Sequence, residues 1–223
     1  MLIRTITASP WQSNCYLIVS DEDATQCIVV DPGITAAPLV TAELEARGWA
    51  PVAFFGTHGH IDHVGDAGIL AERYGVPLYL AAPDQHLLTD PAAGLDPGNA
   101  GALRSLLPGV QLQAVEDVRD LTGPVAAAGL TVTPVPAPGH TEGSTLLRVT
   151  SADAEVVFTG DVLFAGTIGR TDMPGGSMNA MRSTLRMIPQ AIDPEVALLP
   201  GHGGHTTLAV ELTSNPYLQA DRL

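Results

Sequence analysis

The sequence contains no lysine, because all ten of its basic residues are arginines. Mechanisms that form a Schiff base on lysine, or that bind phosphate through a P-loop lysine, are therefore excluded. Acidic residues outnumber basic ones by 24 to 10, which gives a formal net charge of -14. A charge of this sign repels nucleic acids and anionic membrane surfaces, so we expect neither kind of partner.

Cysteines and long apolar runs are also scarce. Cys15 and Cys27 are too few for a disulfide framework and are not spaced as a metal-binding pair, so we interpret both as small buried apolar residues. No run approaches the ~18 apolar residues that a membrane-spanning helix needs. Residues 1–20 contain neither a long apolar segment nor a small-residue cleavage site behind one. We therefore expect a soluble, cytoplasmic protein.

The length of 223 residues, 45% of them hydrophobic, favours a single domain over residues 1–223. Short β-rich segments closed by turn residues predict strands over residues 2–7, 15–19, 27–30, 52–57, 78–80, 130–135, 145–150, 155–159 and 196–199. Apolar residues at helical spacing predict helices over about 35–48, 66–74 and 206–212, and another that begins after Ser177. We expect Thr35 and Ser177 to be N-caps.

The order of these elements predicts the fold class. Strands precede helices in two successive halves, which favours two sheets packed face to face with helices outside, an αββα sandwich of the α+β class. The first helix should bury Leu39, Val40 and Leu44. Residues 83–109 combine several prolines with scattered glycines, and predict an irregular insertion with one short helix near residues 84–88.

Three of the seven histidines fall in the hexapeptide His-Gly-His-Ile-Asp-His at residues 58–63, directly after an apolar strand. His58 and His60 are two apart in extended chain and project to the same side. Asp62 and His63 are carried around by the turn into the next helix. One turn can therefore face two metal ions, and so dense a cluster is not expected of core histidines.

Three further candidates follow predicted strands or glycine turns: His140, Asp161 and His202. Loops at one edge of a sandwich can converge while their strands stay packed. Zinc takes three or four nitrogen or oxygen ligands, and a two-ion site also needs a bridging carboxylate. His205 is an alternative to His202, which we prefer because it follows the strand directly, and we interpret His86 as an exposed loop residue.

These residues resemble the metallo-β-lactamase superfamily, whose His-x-His-x-Asp-His motif corresponds to residues 58–63. The similarity extends from about residue 13 to 216. It implies the αββα fold and two divalent metal ions, zinc foremost with iron as the alternative. It also implies the ligands, which are His58, His60 and His140 for the first ion, Asp62, His63 and His202 for the second, and Asp161 as the bridge.

Within the superfamily, residues 160–164, 169–172 and 201–203 resemble the short bacterial form of the glyoxalase II group. This implies a thioesterase that hydrolyses a hydroxyacyl thioester such as S-lactoylglutathione. Two metal ions sharing a water would lower its pKa toward ~7 and supply hydroxide at neutral pH. Asp62 is the catalytic residue that we expect to orient this hydroxide and to handle any proton, although it could be a ligand only.

Recognition of the thiol carrier is less defined, because the chain stops at Leu223 without the C-terminal helices with which the longer enzymes bind glutathione. Guanidinium groups bind carboxylates in a bidentate manner, so Arg170, Arg182 and Arg186 are candidate substrate contacts. A solvated helix face is the alternative for Arg182 and Arg186. Asp172 is a candidate partner of Arg170. The sequence leaves the oligomeric state open.

The same residues are compatible with other activities. The Gly-Arg-Thr-Asp stretch at residues 169–172 also resembles iron-dependent persulfide dioxygenases, which would use one Fe(II) held by residues such as His58, His140 and Asp161. A lactonase would use the same metal site, and a metal-binding module without turnover is a third alternative. True β-lactamases of the superfamily are secreted and lack a carboxylate at the bridging position, so β-lactam hydrolysis is not expected.

Overall fold

Two six-stranded sheets form the centre of the computed structural model, which describes residues 1–106 and 112–219. The strands of the first sheet lie in chain order: β1 (Leu2–Ala8), β2 (Ser13–Val19), β3 (Gln26–Val30), β4 (Ala50–Phe55), β5 (Leu78–Tyr79) and β6 (Val118–Arg119). The first three strands are antiparallel, and β3 to β6 are parallel. The parallel half carries the loop after β4, in which the histidine motif begins.

The second sheet is mixed. Its strands are β7 (Val125–Ala127), β8 (Leu130–Pro136), β9 (Thr145–Thr150), β10 (Glu155–Gly160), β13 (Ala197–Pro200) and β14 (Thr206–Thr207), in the spatial order 14-13-10-9-8-7. Only β10 and β13 are parallel to each other. A separate hairpin joins β11 (Leu163–Phe164) to β12 (Thr167–Ile168). The chain segments that follow β10 and β13 therefore leave this sheet side by side, because parallel neighbours end at one edge.

Helices cover the outer faces of both sheets. The α-helices are α1 (Ala37–Arg47), α2 (Ile61–Val64), α3 (Ala67–Tyr74), α4 (Pro97–Leu106), α5 (Met178–Ala191) and α6 (Leu208–Ser214). Short 3-10 helices occupy Ala82–Leu88, Pro91–Gly94 and Pro216–Leu218. None of the described helices is long and apolar enough to cross a membrane.

Alternating side chains divide the interior into three apolar layers. On β2, Tyr16 and Ile18 face the second sheet, where they pack with residues such as Phe158 and Leu147. Neighbouring Leu17 faces the opposite way, towards α1 and α3. The outer face of the second sheet packs against α5 and α6 in the same manner. The order helix, sheet, sheet, helix confirms the predicted αββα sandwich.

Most of the predicted elements are confirmed within two or three residues, and Ser177 is the N-cap of α5. Thr35 is not the cap of α1, because its own φ is 69° and its hydroxyl accepts a hydrogen bond from Ser9 N. The buried carboxylate of Asp66 accepts from Ala37 N at 2.7 Å and serves that helix end instead. Leu39 is also corrected, since it is exposed.

The segment predicted as an irregular insertion is more helical than expected. Two 3-10 helices and α4 fill its described part, where the sequence predicts one short helix. Pro83 and Pro91 lie in the first turn of their helices and α4 begins at Pro97, where a missing N–H costs nothing. The end of the segment, at residues 107–109, lies outside the described residues.

The assignment of residues 1–223 to a single domain stays a prediction.

The two cysteines are buried among apolar side chains, as predicted. Burial raises the pKa of Cys27 to about 12, and burial together with nearby Asp31 raises the pKa of Cys15 well above its ordinary value. Both thiols therefore stay protonated at neutral pH, which suits small core residues rather than nucleophiles.

Replacing Ser177 with alanine tests the α5 cap. The Ser177 hydroxyl accepts a hydrogen bond from Ala180 N at 3.2 Å, and we expect its loss to lower the free energy of unfolding by about 1 kcal/mol. Urea unfolding measures this difference. Ser183→Ala, on the exposed face of the same helix, is the control and should change stability by no more than about 0.5 kcal/mol. Equal losses in the two variants would contradict a capping role.

Candidate metal centre

The seven side chains predicted as metal ligands lie together, although they come from five chain segments. His58 and His60 are in the loop after β4, and Asp62 and His63 are on the single turn of α2. The others follow or connect strands of the second sheet: His140 between β8 and β9, Asp161 after β10, and His202 after β13. Two backbone bonds join these segments, from Thr145 N to Thr57 O and from Gly201 N to Gly160 O.

The ligand atoms form overlapping groups, each within 4.8 Å. One group contains His58, His60 and His140, a second contains Asp62, His63 and His202, and a third contains His58, His63 and Asp161. The Asp161 carboxylate lies between the first two, because its Oδ1 is 3.4 Å from His63 Nε2 and its Oδ2 is 3.6 Å from His140 Nε2. This is the place that a bridging carboxylate requires.

Distances within the groups match those between ligands of one ion. Two nitrogen ligands at ~2.0–2.1 Å from zinc, in tetrahedral geometry, lie ~3.3 Å apart. His63 Nε2 and His202 Nε2 are 3.3 Å apart, and His60 Nδ1 and His140 Nε2 are 3.0 Å apart. Asp62 Oδ2 lies 3.3 Å from His202 Nε2 and 3.5 Å from His63 Nε2. The donor set and its spacing therefore fit divalent ions of the zinc type.

Four of the five histidines have one ring nitrogen bonded outside the cluster, which leaves the other facing it. The Nδ1 atoms of His140 and His202 lie 2.7 Å from Arg170 O and 3.1 Å from Trp11 O. A backbone carbonyl only accepts, so each Nδ1 carries the proton and each Nε2 presents a lone pair. Partners of this kind orient metal-binding histidines and fix their tautomers.

Asp31 is the outer partner of His63 and, through Thr57, supports that of His58. Its Oδ2 lies 3.0 Å from His63 Nδ1 and accepts a hydrogen bond from Thr57 Oγ1 at 2.8 Å. Thr57 Oγ1 in turn lies 3.1 Å from His58 Nδ1, from which it can accept. Neither Asp31 nor Thr57 is among the residues that the sequence predicts for the site. Asp31 follows a predicted strand directly, and Asp161 also lies just past one; this position is the signal that could have identified Asp31.

The pKa values of the cluster favour cation binding. Burial, followed by the neighbouring histidines, lowers the pKa of His58 well below its ordinary value, and the same causes lower the pKa of His60 to about 4. Both rings are therefore neutral at pH 7 and keep a lone pair for ligation. Burial also lowers the pKa of His63, but Asp62 and Asp161 outweigh it and raise that pKa well above its ordinary value. These carboxylates stabilise positive charge at this point.

Asp62 itself is ionised at neutral pH. Burial raises its pKa, but the charge of His63 and a hydrogen bond with His202 outweigh that effect and hold the pKa well below its ordinary value. Three buried atoms of the cluster, His58 Nε2, His60 Nε2 and Asp161 Oδ1, have no hydrogen-bond partner among the described residues. Buried polar atoms without partners are rare in folded proteins, and bound ions would account for such atoms at His58 and Asp161.

Two glycines allow the backbone to approach the ligand aspartates closely. A Cβ at Gly33 would overlap the carbonyl oxygen of Asp62, and a Cβ at Gly169 would overlap the carbonyl oxygen of Asp161. The added atom at Gly169 would also lie 3.3 Å from His140 Nδ1, beside its bond to Arg170 O. Any larger residue at these two positions must therefore displace a ligand.

Gly169→Ala tests this close packing. Because the new methyl group would displace the backbone of Asp161 and crowd Nδ1 of His140, we expect about 10- to 100-fold weaker zinc binding, measured by titration against a chromophoric chelator. Gly123→Ala is the matched control, because a Cβ there meets no atom within 4 Å. Zinc affinity of the Gly169 variant equal to that of the control would contradict the argument.

A cavity of about 520 Å³ opens above the cluster. Its polar floor includes His60, Asp62, His140, Asp161 and His202, and the rest of its lining is Trp11, Ile61, Leu95, Phe164, Gly169, Arg170 and Met173. This volume and this mixture of apolar walls with a few convergent polar groups are typical of small-molecule sites.

The remaining predicted residues lie elsewhere. Of the three candidate arginines only Arg170 lines the cavity. Its guanidinium group donates two hydrogen bonds to the carboxylate of Asp172, at 2.7 and 2.9 Å, which confirms the predicted pair. Arg182 and Arg186 are exposed on α5 and do not line it. His205 is exposed and outside all three ligand groups, in contrast to His202. His86 is also exposed and bonds the backbone at Pro83.

Several curated proteins are similar to this chain over their whole length. A Mycobacterium tuberculosis protein of uncharacterised function is 37% identical over 225 residues, which cover 98% of each chain. Hydroxyacylglutathione hydrolase GloC of Haemophilus influenzae is 31% identical over 221 residues, or 99% of each chain. The probable metallo-hydrolase YqgX of Bacillus subtilis is 30% identical over 215 residues, or 96% of each.

Solved structures agree with the fold described above. The B3 metallo-beta-lactamase BLEG-1 has a TM-score of 0.81 at 28% identity, with 98% of this chain and 100% of that chain covered. TTHA1623 in a di-iron-bound form has a TM-score of 0.79 at 31% identity, with 96% and 100% covered. ETHE1 from Myxococcus xanthus, at 24% identity, a TM-score of 0.74 and coverage of 98% and 84%, shares the fold.

A family model extends this similarity to most of the chain. The metallo-beta-lactamase superfamily model matches residues 8–202, a range that includes all seven clustered side chains. This chain belongs to the metallo-beta-lactamase superfamily.

Proposed function

We propose that this protein is a metal-dependent thioesterase that hydrolyses hydroxyacyl thioesters of the S-lactoylglutathione type. The observation that carries the proposal is that two complete ligand groups, linked by Asp161, lie beneath a cavity of substrate size, which five of their seven side chains line. His58, His60 and His140 would hold one ion, and Asp62, His63 and His202 the other. Divalent ions held there would polarise an acyl carbonyl and would lower the pKa of water towards neutrality.

The residues around the cluster support hydrolysis without a protein nucleophile. Asp62 lines the cavity and is ionised, so it can accept a hydrogen bond from the attacking water and orient it towards the acyl carbon. The same carboxylate can take the proton that the water loses. A thiol leaving group has a pKa of about 8.5, so it departs without protonation by the protein. The reaction therefore needs no further acidic side chain to protonate the leaving group.

The walls of the cavity support a substrate with an apolar portion. Trp11, Ile61, Leu95, Phe164 and Met173 are the apolar side chains of the lining, and their burial against a ligand would supply most of the binding energy. Arg170 at the rim offers two N–H donors, and its pairing with exposed Asp172 can exchange for a substrate carboxylate. The 31% identity to the hydroxyacylglutathione hydrolase GloC over its full length is consistent with this class.

Arg170→Gln tests the carboxylate contact. We expect KM for S-lactoylglutathione to rise about 10-fold, because one charge-assisted hydrogen bond is lost, while kcat changes less than about threefold. Arg182→Gln removes the same charge on α5 away from the cavity, and its KM should stay at the wild-type value. An equal change in both variants would mean that the overall charge of the protein, and not a contact, sets KM.

A persulfide dioxygenase is the second candidate, favoured by the Gly-Arg-Thr-Asp sequence of residues 169–172. The di-iron-bound form of a relative at 31% identity makes iron, as well as zinc, a metal to test. Completeness of the Asp62, His63 and His202 group favours hydrolysis, because the dioxygenase needs one iron held by three residues. A lactone is cleaved by the same attack on a carbonyl. A β-lactam belongs among the alternatives as well, because BLEG-1 carries that name at 28% identity.

One panel of substrates separates these candidates. Zinc-loaded and iron-loaded protein would be assayed with S-lactoylglutathione, an uncharged lactoyl thioester, a lactone, a β-lactam and glutathione persulfide, with metal content measured in each sample. We expect about two ions per chain and fastest turnover of a thioester. Oxygen uptake on the persulfide with one iron per chain would overturn the proposal, and so would hydrolysis of the lactone or β-lactam alone. Chelated protein is the control.

A cytoplasmic location stays a prediction.

A further inference from the structure

Asp84 is a buried carboxylate that belongs to none of the ligand groups. It lies in the 3-10 helix Ala82–Leu88, within the segment that the sequence predicts to be irregular, and it is only 2% exposed. Few acidic residues of a surface segment are buried to this degree unless all of their hydrogen bonds are satisfied. The partners of Asp84 therefore indicate what this carboxylate does.

All of these partners belong to the two loops that carry the first ligand group. Oδ2 accepts hydrogen bonds from Gly59 N at 2.9 Å and from Thr141 Oγ1 at 2.6 Å, and Oδ1 accepts from Gly143 N at 2.7 Å. Gly59 stands between His58 and His60, and Thr141 directly follows His140. One carboxylate thus bonds both loops.

The close packing of Asp84 against both loops depends on glycine. A Cβ at Gly59 would lie 2.9 Å from the Cβ of Asp84, and a Cβ at Gly143 would lie 2.7 Å from its Oδ1. Glycine at both positions lets the carboxylate reach the two N–H groups. Hydrogen bonds to a carboxylate are charge-assisted, and each is roughly twice as strong as a bond between neutral groups.

We propose that Asp84 is a positioning residue for the metal centre, which holds the His58–His60 loop and the His140 loop at the separation that the first ion requires. The proposal rests on the proposed metal-dependent function, but it concerns binding of the ion rather than the substrate. It assigns a role to the inserted segment, which supplies this carboxylate from outside both sheets. The second group, Asp62, His63 and His202, has no bond to Asp84 and should be insensitive to it.

The test measures zinc affinity of each group separately. A His202→Ala background keeps the first group whole, and a His140→Ala background keeps the second. We expect Asp84→Asn to weaken zinc binding about 10- to 100-fold in the first background and less than about twofold in the second. Asparagine keeps the size of the side chain but turns one acceptor into a donor, which cannot bond the N–H of Gly59 or Gly143.

Asp120→Ala is the matched control for a purely structural role. Asp120 Oδ1 accepts from Ala82 N at 2.8 Å, so this variant weakens the attachment of the same 3-10 helix without contacting the ligand loops. It should leave both zinc affinities at the wild-type value. Cobalt(II) spectra of the first group provide a second readout, since the visible absorption of cobalt reports ligand geometry, and should change for Asp84→Asn only.

If Asp84→Asn does not fold, Thr141→Val removes one of the three bonds and should lower affinity of the first group alone, about threefold. Equal losses in both backgrounds, or unchanged affinity in the first, would overturn the proposal. Failure of the thioesterase proposal is a separate result, because zinc binding is measured without any substrate. A wild-type protein that binds no zinc in either group would instead remove the basis of both.

Discussion

Asp62→Ala is expected to hydrolyse the preferred thioester about 10²- to 10⁴-fold more slowly than the wild type, the range that a positioned acid or base contributes. The variant should also lose about one of its two metal ions. Asp62 Oδ2 lies 3.3 Å from His202 Nε2, so its removal takes a ligand from the second group. It also removes the negative charge that raises the pKa values of His63 and His202. Turnover and metal content, measured on one sample, check both effects.

Asp62→Asn separates the two roles of this carboxylate. The amide oxygen can still bind an ion, but the side chain can no longer take a proton from water. We expect two bound ions and a turnover that remains at least about 10²-fold reduced. Asp66→Asn, a change four residues further along, is the control, since Asp66 caps α1 and does not line the cavity. Full activity of Asp62→Asn would mean that Asp62 is a ligand only.

The sequence predicts the ligands of this site better than their surroundings. The ligands are recognisable because three histidines and an aspartate fall within the six residues 58–63, a density that chance rarely produces. The strands are recognisable because β2 and β3 alternate between two buried faces and are enriched in branched residues. These signals are local, so they can be recognised without knowing which segments of the chain are in contact.

The partners of the ligands carry no such signal. His140 and His202 bond the carbonyl oxygens of Arg170 and Trp11, and every residue has a carbonyl oxygen. Asp84 bonds Thr141, which lies 57 positions further along the chain, so only the fold brings the two side chains together.

The prolines of the insertion show a second limit of local reasoning. In the sequence they predict breaks in structure, whereas Pro83 and Pro91 lie in the first turns of helices. Proline breaks a helix in its interior but is tolerated in its first turn. Which of the two applies is known only when the first residue of the helix is known.

Asp31→Ala is expected to be the most damaging change outside the ligands. Thr57 N, Thr57 Oγ1 and His63 Nδ1 all depend on this carboxylate, at 2.7, 2.8 and 3.0 Å, and all are buried. Removal of one partner from a buried charged network costs about 3 to 5 kcal/mol. Asp31 also has a φ of 54°, where alanine adds strain of about 1 kcal/mol. Urea unfolding in the presence of a chelator measures this loss.

Asp31→Asn distinguishes support of the fold from support of the metal centre. Asparagine tolerates the positive φ, and its oxygen can still accept from Thr57 N, so we expect stability within about 1 kcal/mol of the wild type. Its amide, however, would face His63 Nδ1 as a donor, and that nitrogen must then lose its proton. The proton moves to Nε2, the nitrogen that faces Asp62 and Asp161, and blocks it as a ligand.

Zinc affinity of the second group should therefore fall about 10- to 100-fold in Asp31→Asn while the fold is retained. Titration in the His140→Ala background isolates that group. A stable variant with unchanged affinity would show that the tautomer of His63 is set without Asp31, and would reduce this residue to a support of the loop after β3. Loss of affinity in a stable protein, by contrast, would support a role of Asp31 in setting the proton on His63, because Asp31 belongs to none of the ligand groups.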